Sequence, residues 1–216
     1  MIITIANGKG GVGKSTVAIN LAGVLALKAK MILLIDADPQ RSVIKWFNAR
    51  MKQPSDRLLH TNLQTSPKPW TDADLRRRLL QETKNFNFTI IDCGPANDQI
   101  QRAALASAHF AIIPVTPSPY DIRSTRETLD MLIEGKSAGI SVKPYLLISK
   151  KVVGTNLGDE VRDALRDFNL PILRTEICQR IALCEAGIVG QTISEYAPKS
   201  HAAREFQKLG QEVLKW

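Results

Sequence analysis

The chain has 216 residues, of which 44% are hydrophobic and 23% are charged. These proportions exclude a disordered chain, and the length suits one large domain rather than two. The formal net charge of +8 favours a polyanionic partner. The longest apolar runs, such as residues 31–35, are too short to span a bilayer, and the first residues carry no basic leader segment, so we expect a cytoplasmic protein.

The first predicted elements are a strand, a glycine-rich loop and a helix. Residues 1–6 form a short β-branched run, residues 17–22 have helical character, and residues 9–16 between them read KGGVGKST. The spacing of glycine, lysine and serine in this loop is that of a phosphate-binding P-loop, which requires a strand before it and a helix after it. A glycine-rich turn that binds nothing is the alternative, and the complete spacing disfavours it.

The residues of this loop suit a nucleoside triphosphate. Glycine lets the backbone bring its N–H groups close to phosphate oxygens, and the helix that follows points its positive dipole end at the same place. Lys14 would contact the β and γ phosphates, and the Ser15 hydroxyl would bind Mg²⁺. Lys9 is one lysine more than an ordinary P-loop needs, which favours an ATPase that dimerises. The predicted nucleotide contacts are Gly10, Gly11, Val12, Gly13, Lys14, Ser15 and Thr16.

Short apolar runs then alternate with helical patterns along the chain. The predicted strands are residues 31–35, 88–91, 109–115 and 144–149, and the predicted helices are residues 42–51, 71–84, 98–107, 122–137, 157–168 and 199–216. Residues 53–69 are expected to form a surface excursion with one short edge strand. Because strands buried on both faces read as continuous apolar runs, we predict an α/β fold. It would be a single-domain P-loop NTPase with a mostly parallel β-sheet flanked by helices on both faces.

Three aspartates follow predicted strands, where a parallel sheet presents groups to a ligand. Asp36 and Asp38 are two residues apart, so an extended segment would direct both side chains to one face, toward the γ-phosphate. We assign Asp36 to the metal and Asp38 to the attacking water, and the spacing leaves the reverse assignment open. Asp92 ends a hydrophobic run like a Walker B aspartate, which holds Mg²⁺ through water. A helix cap or a turn is the alternative role for any one of the three.

The proline-rich residues 114–119 follow the next predicted strand. Proline fixes the φ angle at three of these positions and makes the segment stiff. A stiff segment can pack against a nucleotide base or against another subunit. We therefore predict that Pro117, Ser118 and Pro119 contact the nucleotide. A plain strand-to-helix turn is the alternative.

The three cysteines, Cys93, Cys178 and Cys184, include no CxxC pair. Their pattern argues against a disulfide framework and a zinc site, and it gives little support to an iron–sulfur cluster. We expect all of them to be small buried hydrophobic residues. The sequence also has three isolated histidines, which we expect to be structural or solvated: His60, His109 and His201.

Four motifs together resemble the ParA/MinD family of deviant Walker A ATPases. They are KGGVGKST at 9–16, DADPQ at 36–40, IIDCGP at 90–95 and PVTPSP at 114–119. The resemblance spans essentially the whole chain and is strongest to the short ParA-type plasmid partition ATPases of the ParF kind, which lack an N-terminal helix-turn-helix. It implies that residues 1–216 are a single ParA-type P-loop ATPase domain.

This resemblance implies an ATP-dependent plasmid or DNA partition ATPase. Two subunits with bound ATP and Mg²⁺ would form a homodimer that sandwiches the nucleotides, with Lys9 reaching the partner's phosphates and with Lys9, Lys14 and Asp38 serving catalysis. The dimer would bind nonspecific DNA and so be nucleoid-associated. A ParB-like or ParG-like centromere-binding protein would stimulate its slow hydrolysis. Hydrolysis removes a charge that lysines from two subunits share, which explains physically why the dimer would open.

The basic excess lies in the first part of the chain. Residues 1–119 contain 15 Lys and Arg against 8 Asp and Glu, and residues 120–216 contain 14 against 13. A solvated helix face is the other explanation for a basic stretch, and DNA is favoured only in combination with the ATPase motifs. The candidate DNA contacts in the basic stretch are Arg41, Lys45, Arg50, Lys52, Arg57, Lys68, Arg76, Arg77 and Arg78. The resemblance adds Arg162, Arg166, Arg174, Arg180, Lys199 and Arg204.

Three other functions are open at this point. A membrane-associated MinD-like positioning ATPase would need a terminal amphipathic helix, which residues 199–216 partly fit. Packing of that helix in the core is favoured, however, and no stable membrane association is expected. A positioning ATPase for a protein cargo would have the same motifs. A metabolic enzyme that activates a carboxylate with ATP would need a further cluster of histidines or acids, which the sequence does not show.

Overall fold

The computed structural model describes residues 1–28, 30–54, 62–66, 68–70, 74–95, 99–137 and 139–216, with the backbone only of residues 74, 123, 124 and 159. Some predictions concern residues outside these ranges. They are the predictions for Arg57, for His60 and for the starts of the helices expected at 71–84 and 98–107. Within the described ranges the chain forms a sheet with helices on both faces.

The sheet has six parallel strands: β1 (Ile2–Ile5), β2 (Ile32–Ala37), β3 (Leu63–Thr65), β4 (Phe88–Cys93), β5 (Phe110–Val115) and β6 (Lys143–Ile148). Their order is β3-β2-β4-β1-β5-β6, so β1 lies in the middle between β4 and β5. Branched apolar residues form these strands because both faces of the sheet are covered. The predicted fold class is confirmed, and β3 is the short edge strand expected within residues 53–69.

The described residues form nine α-helices: α1 (Lys14–Leu27), α2 (Ser42–Arg50), α3 (Asp74–Glu82), α4 (Gln99–Ser107), α5 (Pro119–Ser137), α6 (Asn156–Arg166), α7 (Ile181–Ile188), α8 (Ile193–Tyr196) and α9 (His201–Val213). A short 3-10 helix, Thr83–Asn85, follows α3. Helices α1, α2 and α9 pack on one face of the sheet, and α3 and α4 pack on the other. Helices α5 and α6 cover β5 and β6. The layers leave the carboxyl ends of the strands as the edge where the loops meet.

Helix α1 is buried along most of its length because it lies between the sheet and α9. Its residues 17–26 are all buried, and Gly210 of α9 permits the close approach, since a Cβ atom there would lie 2.5 Å from Val24 Cγ1. Phe206 and Leu209 of α9 are fully buried in the same core. The prediction that the terminal helix packs in the core is therefore confirmed. In the described part of the chain, no helix has the length and apolarity that a membrane crossing requires.

Some element boundaries differ from the predictions. Strands β2 and β4 extend beyond their apolar runs, so Asp36 and Asp92 lie inside strands rather than after them. Helix α5 begins at Pro119, since proline suits the first position of a helix, and Pro114 belongs to β5. The proline-rich segment is thus a strand end, a turn and a helix start rather than one loop. Helices α7 and α8 have no counterpart among the predicted helices, because α7 has little apolar periodicity and α8 is one turn long.

The cysteines differ in burial. Cys93 is buried, Cys178 is half-buried and Cys184 is exposed, and none of the three forms a disulfide within the described residues. The expectation of burial is wrong for Cys184, because α7 buries only Ala186 and leaves most of its apolar side chains at the surface.

Candidate functional site

A cleft of about 340 Å³ opens at the carboxyl ends of the strands. The P-loop after β1 forms one wall, and loops after β2, β4 and β6 complete it. The predicted residues that line the cleft are Gly10, Gly11, Gly13, Lys14, Ser15, Thr16 and Asp38. Four further lining residues were not predicted: Gln40, Ser42, Pro95 and Lys150. Val12 is buried beneath the loop rather than in its wall.

The P-loop conformation depends on glycine at two positions. Gly11 and Gly13 have φ angles of +79° and +92°, a region that residues with a Cβ atom rarely adopt. A Cβ atom on Gly13 would also lie 2.9 Å from Ser149 Oγ, at the end of β6. The loop therefore packs tightly against the end of β6.

Lys14 is nearly buried, and its Nζ atom donates a hydrogen bond to the Lys9 carbonyl over 2.8 Å. Burial lowers the pKa of its ammonium group, and the nearby carboxylates of Asp92 and Asp38 oppose this effect. The side chain is thus held across the loop, within a field of negative charge that favours its charged form. In this position the Lys14 ammonium group can form charge-assisted hydrogen bonds with phosphate oxygens.

Asp92 is the most unusual group of the site. It is fully buried, and neither oxygen of its side chain has a hydrogen-bond partner among the described residues. Burial raises its pKa to about 8, an effect that the neighbouring Ser15 hydroxyl opposes and the charges of Asp36 and Asp38 increase. A buried carboxylate without a partner is costly unless it is protonated or meets a cation. Together with the Ser15 hydroxyl, Asp92 supplies the oxygen ligands that Mg²⁺ prefers, so the residues fit the predicted metal.

Asp36 and Asp38 differ in their surroundings. Asp36 is fully buried, and its two oxygens accept hydrogen bonds from the N–H groups of Asp38, over 3.0 Å, and Ile44, over 2.9 Å. Burial raises the pKa of Asp36, and these hydrogen bonds oppose the shift. Asp38 lines the cleft, and its Oδ1 atom accepts from the Gln40 N–H over 2.8 Å. Asp36 therefore positions Asp38 and the start of α2, and its metal role stays a prediction.

Gly94 brings the loop after β4 close to Asp38. A Cβ atom on Gly94 would lie 3.0 Å from Asp38 Oδ1 and 3.1 Å from Pro39 Cδ. A larger residue there would require the Asp38 carboxylate or the Pro39 ring to shift by a few tenths of an ångström. The two acidic strand ends are thus packed against each other at the cleft.

Lys9 points away from the cleft that its own loop forms. Its Nζ atom lies 3.5 Å from Asp121 Oδ1 in the first turn of α5, and 45% of the Lys9 side chain is exposed. Asp121 also accepts a hydrogen bond from the Thr116 hydroxyl. No sequence pattern singles out Asp121, since an acid in the first turn of a helix is common for its favourable interaction with the helix dipole. Pro117 and Ser118 lie between β5 and α5, and Pro119 is the first residue of α5. None of the three lines the cleft, so their nucleotide contacts stay predictions.

A larger cavity, of about 760 Å³, lies elsewhere. It is lined by α5, by the amino end of β6 and by the segment after α6. It contains none of the predicted site residues, and its described lining includes Arg126, Lys136 and Lys143 but no glycine-rich loop. The nucleotide cleft is therefore identified by its chemistry rather than by its size.

Residues 3–193 match the family described as the CobQ/CobB/MinD/ParA nucleotide binding domain. The chain belongs to this family. The match covers most of the 216 residues and agrees with the P-loop, the acidic strand ends and the parallel sheet. The predicted membership of the ParA/MinD group, and with it a nucleotide-binding protein of the ATPase type, is confirmed.

Individual relatives cover nearly the whole chain. It is 29% identical to the chromosome-partitioning ATPase Soj of Thermus thermophilus, over 98% of this chain and 94% of that protein. It is 24% identical to the maintenance of carboxysome distribution protein A of Halothiobacillus neapolitanus, over 98% and 95% of the two chains. Its fold matches that of a putative plasmid partition protein of Borrelia burgdorferi bound to AMPPNP, with a TM-score of 0.80, 21% identity and coverage of 99% and 98%.

Proposed function

We propose that this protein is an Mg²⁺-dependent ATPase that partitions plasmid or other DNA by an ATP-controlled cycle of self-association and DNA binding. The observation that carries the proposal is the arrangement of two lysines on one P-loop. Lys14 lies across the cleft, whereas the half-exposed Lys9 points outward. A second subunit facing the cleft would bring its own Lys9 within reach of the nucleotide.

We assign each residue around the cleft a separate role in ATP hydrolysis. The P-loop N–H groups and Lys14 would hold the phosphates, and Ser15 and Asp92 would hold Mg²⁺, which when bound neutralises charge on the β and γ oxygens. Asp38 would orient the attacking water and accept its proton, while Asp36 holds the Asp38 backbone in place. Water adds to the γ-phosphorus as the bond to the β-phosphate oxygen breaks, which yields ADP and phosphate.

Exposed apolar side chains near the cleft support self-association. Tyr120 is 81% exposed beside Asp121, Val153 is 67% exposed after the Lys150 loop, and Ile181 is 78% exposed at the start of α7. Large apolar side chains that are this exposed are typical of a surface that another protein covers. A second copy with its cleft facing this one would bury them.

The structure separates the candidate DNA contacts into two groups. Residues 41–84 contain 10 Lys and Arg against 4 Asp and Glu, whereas residues 156–216 contain 8 against 9. In the second group, Arg162 is paired with Glu176 over 2.9 Å and Arg180 with Glu205 over 2.6 Å. Such arginines are already neutralised within the fold, so we propose that the basic stretch supplies the main DNA contacts.

Helix α3 presents exposed basic residues of that stretch. Arg76 and Arg77 are exposed on its outer side, while Leu75 and Leu79 anchor its inner side in the core. Arg78 is less available, because it stacks on Trp70 at 4.0 Å and pairs with Glu82. Arg50 is also excluded, since it forms a buried ion pair with Glu195.

The test combines gel filtration and DNA binding with ATP, ADP and a nonhydrolysable analogue. We expect a dimer and DNA retention with ATP or the analogue, and loss of retention as salt rises, because basic side chains release counterions from DNA. Arg76→Glu with Arg77→Glu is expected to weaken DNA binding at least about tenfold, and the matched pair Arg174→Glu with Lys199→Glu to weaken it less. Equal retention with ADP would contradict the proposed cycle.

A protein cargo in place of DNA is the second candidate, because one of the relatives is named for carboxysome distribution. In that case dimerisation with ATP would persist and a cargo adaptor would replace the proposed ParB-like or ParG-like partner. A MinD-like membrane role is less favoured, since the apolar face of α9 is buried against α1. Flotation with liposomes in the presence of ATP distinguishes it. We propose that the protein acts in the cytoplasm, on the nucleoid.

A further inference from the structure

One face of α5 contacts the beginning of the P-loop at three successive turns. Asp121, Thr125 and Thr128 stand at positions i, i+4 and i+7 of the helix, which places them on one side. Asp121 meets Lys9, and the two threonines reach the residues just before it. Thr125 and Thr128 are fully buried, although threonine hydroxyls are otherwise unusual on a helix face that packs in a core.

Thr128 holds the loop by its backbone. The Thr128 Oγ1 atom accepts a hydrogen bond from the Gly8 N–H over 2.9 Å. Gly8 directly precedes Lys9, so this hydrogen bond holds the backbone immediately before Lys9. A buried N–H group that lost this acceptor would be left unsatisfied, which is unfavourable.

Asn7 connects the same peptide to Thr125 and to β5. Its Nδ2 group donates to the Pro114 carbonyl over 2.8 Å and to Thr125 Oγ1 over 3.2 Å. Its Oδ1 atom accepts from the Lys9 N–H over 2.9 Å. The Thr125 hydroxyl in turn donates to the Asp121 carbonyl over 2.8 Å. Asn7 is fully buried, so its amide forms a rigid link between the loop and α5.

The backbone and the side chain of Lys9 are thus held very differently. The backbone from Asn7 to Lys9 is held by two half-buried hydrogen bonds, from the Gly8 and Lys9 N–H groups, and by two buried ones from the Asn7 side chain; such bonds are stronger where water is excluded. The Lys9 side chain has one half-exposed ion pair with Asp121, and such pairs contribute little and are easily exchanged. The lysine can therefore change partners while its Cα atom stays in place.

We propose that Asn7, Thr125 and Thr128 are positioning residues that hold the Lys9 backbone so that its ammonium group reaches the phosphates of a second subunit. The inference rests on the proposed ATPase cycle. None of these bonds is made by a phosphate-binding residue from Gly10 onward, and Lys14 is linked to them only through its bond to the Lys9 carbonyl. Their loss should therefore lower turnover more than nucleotide binding. A purely structural role would lower stability alone.

The test compares three variants of the full-length protein. Thr128→Val removes the acceptor and keeps the shape of the side chain, whereas Thr128→Ser keeps the hydroxyl. Thr4→Val is the matched control, because Thr4 is also fully buried and its hydroxyl donates to the Ala104 carbonyl over 3.1 Å, away from the P-loop. The measurements are kcat and KM for ATP hydrolysis and hydrogen–deuterium exchange of the peptide spanning residues 6–13.

We expect Thr128→Val to lower kcat roughly tenfold with KM changed less than about threefold. Thr128→Ser should restore kcat, Thr4→Val should leave it unchanged, and exchange in residues 6–13 should accelerate only in Thr128→Val. An unchanged kcat and exchange in Thr128→Val, or equal losses in Thr128→Ser or Thr4→Val, would overturn the proposal. If Thr128→Val does not fold, Thr125→Val is measured in the same way.

The result also separates this proposal from the proposed function. If the wild-type protein neither hydrolyses ATP nor dimerises with the analogue, the proposed function fails. In that case, hydrogen–deuterium exchange alone tests whether these residues hold the Lys9 backbone. Faster exchange of residues 6–13 in Thr128→Val, reversed in Thr128→Ser, supports this role, and unchanged exchange overturns it.

Discussion

Lys9 and Asp121 form an ion pair over 3.5 Å that joins the P-loop to the first turn of α5. The lysine that we assign to a partner's phosphates is thus held by an acid of its own chain. Since the Lys9 side chain is 45% exposed, the pair is screened by solvent and easily exchanged. Asp121 therefore competes with the phosphates of a second subunit for the same ammonium group.

Removing the charge of Asp121 should favour the dimer. Asp121→Asn keeps a side chain that can accept a hydrogen bond from the Thr116 hydroxyl but removes the ion pair with Lys9. We expect dimerisation with the ATP analogue to tighten about two- to fivefold, the range typical of an exposed ion pair. Sedimentation velocity over a series of protein concentrations measures it, with Lys9→Ala as the variant that should not dimerise. Weaker dimerisation of Asp121→Asn would show that Asp121 supports the closed state instead.

Asp92 should make the stability of the nucleotide-free protein depend on pH. Its pKa is raised to about 8, whereas a carboxyl group in the unfolded chain ionises near pH 4. Between these values the folded protein binds one more proton than the unfolded chain, so stability falls as pH rises, by at most about 1.4 kcal/mol per pH unit. Asp92→Asn removes this dependence.

Urea unfolding of wild type and Asp92→Asn at pH 6, 7 and 8 without Mg²⁺ checks this difference. The free energy of unfolding of the variant should exceed that of wild type most at pH 8. Parallel pH profiles for the two proteins would show that Asp92 does not carry the proton. The same variant should lose Mg²⁺-dependent ATP hydrolysis, because an amide cannot replace a carboxylate beside the metal.

The packing of Gly94 on Asp38 gives a prediction about turnover. In Gly94→Ala, the new methyl group would lie 3.0 Å from Asp38 Oδ1 and would require the carboxylate to shift by a few tenths of an ångström. We expect kcat for ATP hydrolysis to fall on the order of tenfold, because small shifts of a catalytic group are costly. Nucleotide affinity, measured by fluorescence titration, should change little. A normal kcat would show that Asp38 does not act in hydrolysis at this position.

Gly190 should be essential for stability, because it lies against the backbone of α2. Its φ angle is +70°, and a Cβ atom there would lie 2.1 Å from the Arg50 backbone nitrogen. Gly190→Ala should lower the free energy of unfolding by about 3 kcal/mol or more. Gly187→Ala is the matched control, since a Cβ atom there meets nothing within 4 Å, and alanine should stabilise α7 by about 0.5–1 kcal/mol. Equal thermal midpoints for the two variants would contradict the close packing of α2.

The local parts of the site were predictable from the sequence, and its long-range parts were not. The P-loop, Asp38 and Asp92 follow from short motifs whose spacing has a chemical reason. The contacts of Asn7 with Thr125 and of Gly8 with Thr128 join residues more than 100 positions apart. No periodicity reveals such contacts, because a buried threonine on a helix is indistinguishable in sequence from an exposed one.

The element boundaries show the same limit. Apolar runs located the strands, but β2 and β4 continue through Asp36 and Asp92, since hydrogen bonding within the sheet does not depend on side-chain polarity. Helix α5 begins at Pro119, where the sequence suggested a stiff loop. Tertiary packing, which no single-sequence pattern contains, decided these positions.

The most direct test of the account is a crystal structure with Mg²⁺ and a nonhydrolysable ATP analogue. The account predicts a dimer in which Lys9 has left Asp121 and its Nζ atom lies about 3 Å from a phosphate oxygen of the analogue bound to the partner subunit. A structure in which the Lys9 ammonium group stays on Asp121 or in solvent, with no phosphate of another subunit nearby, would contradict it.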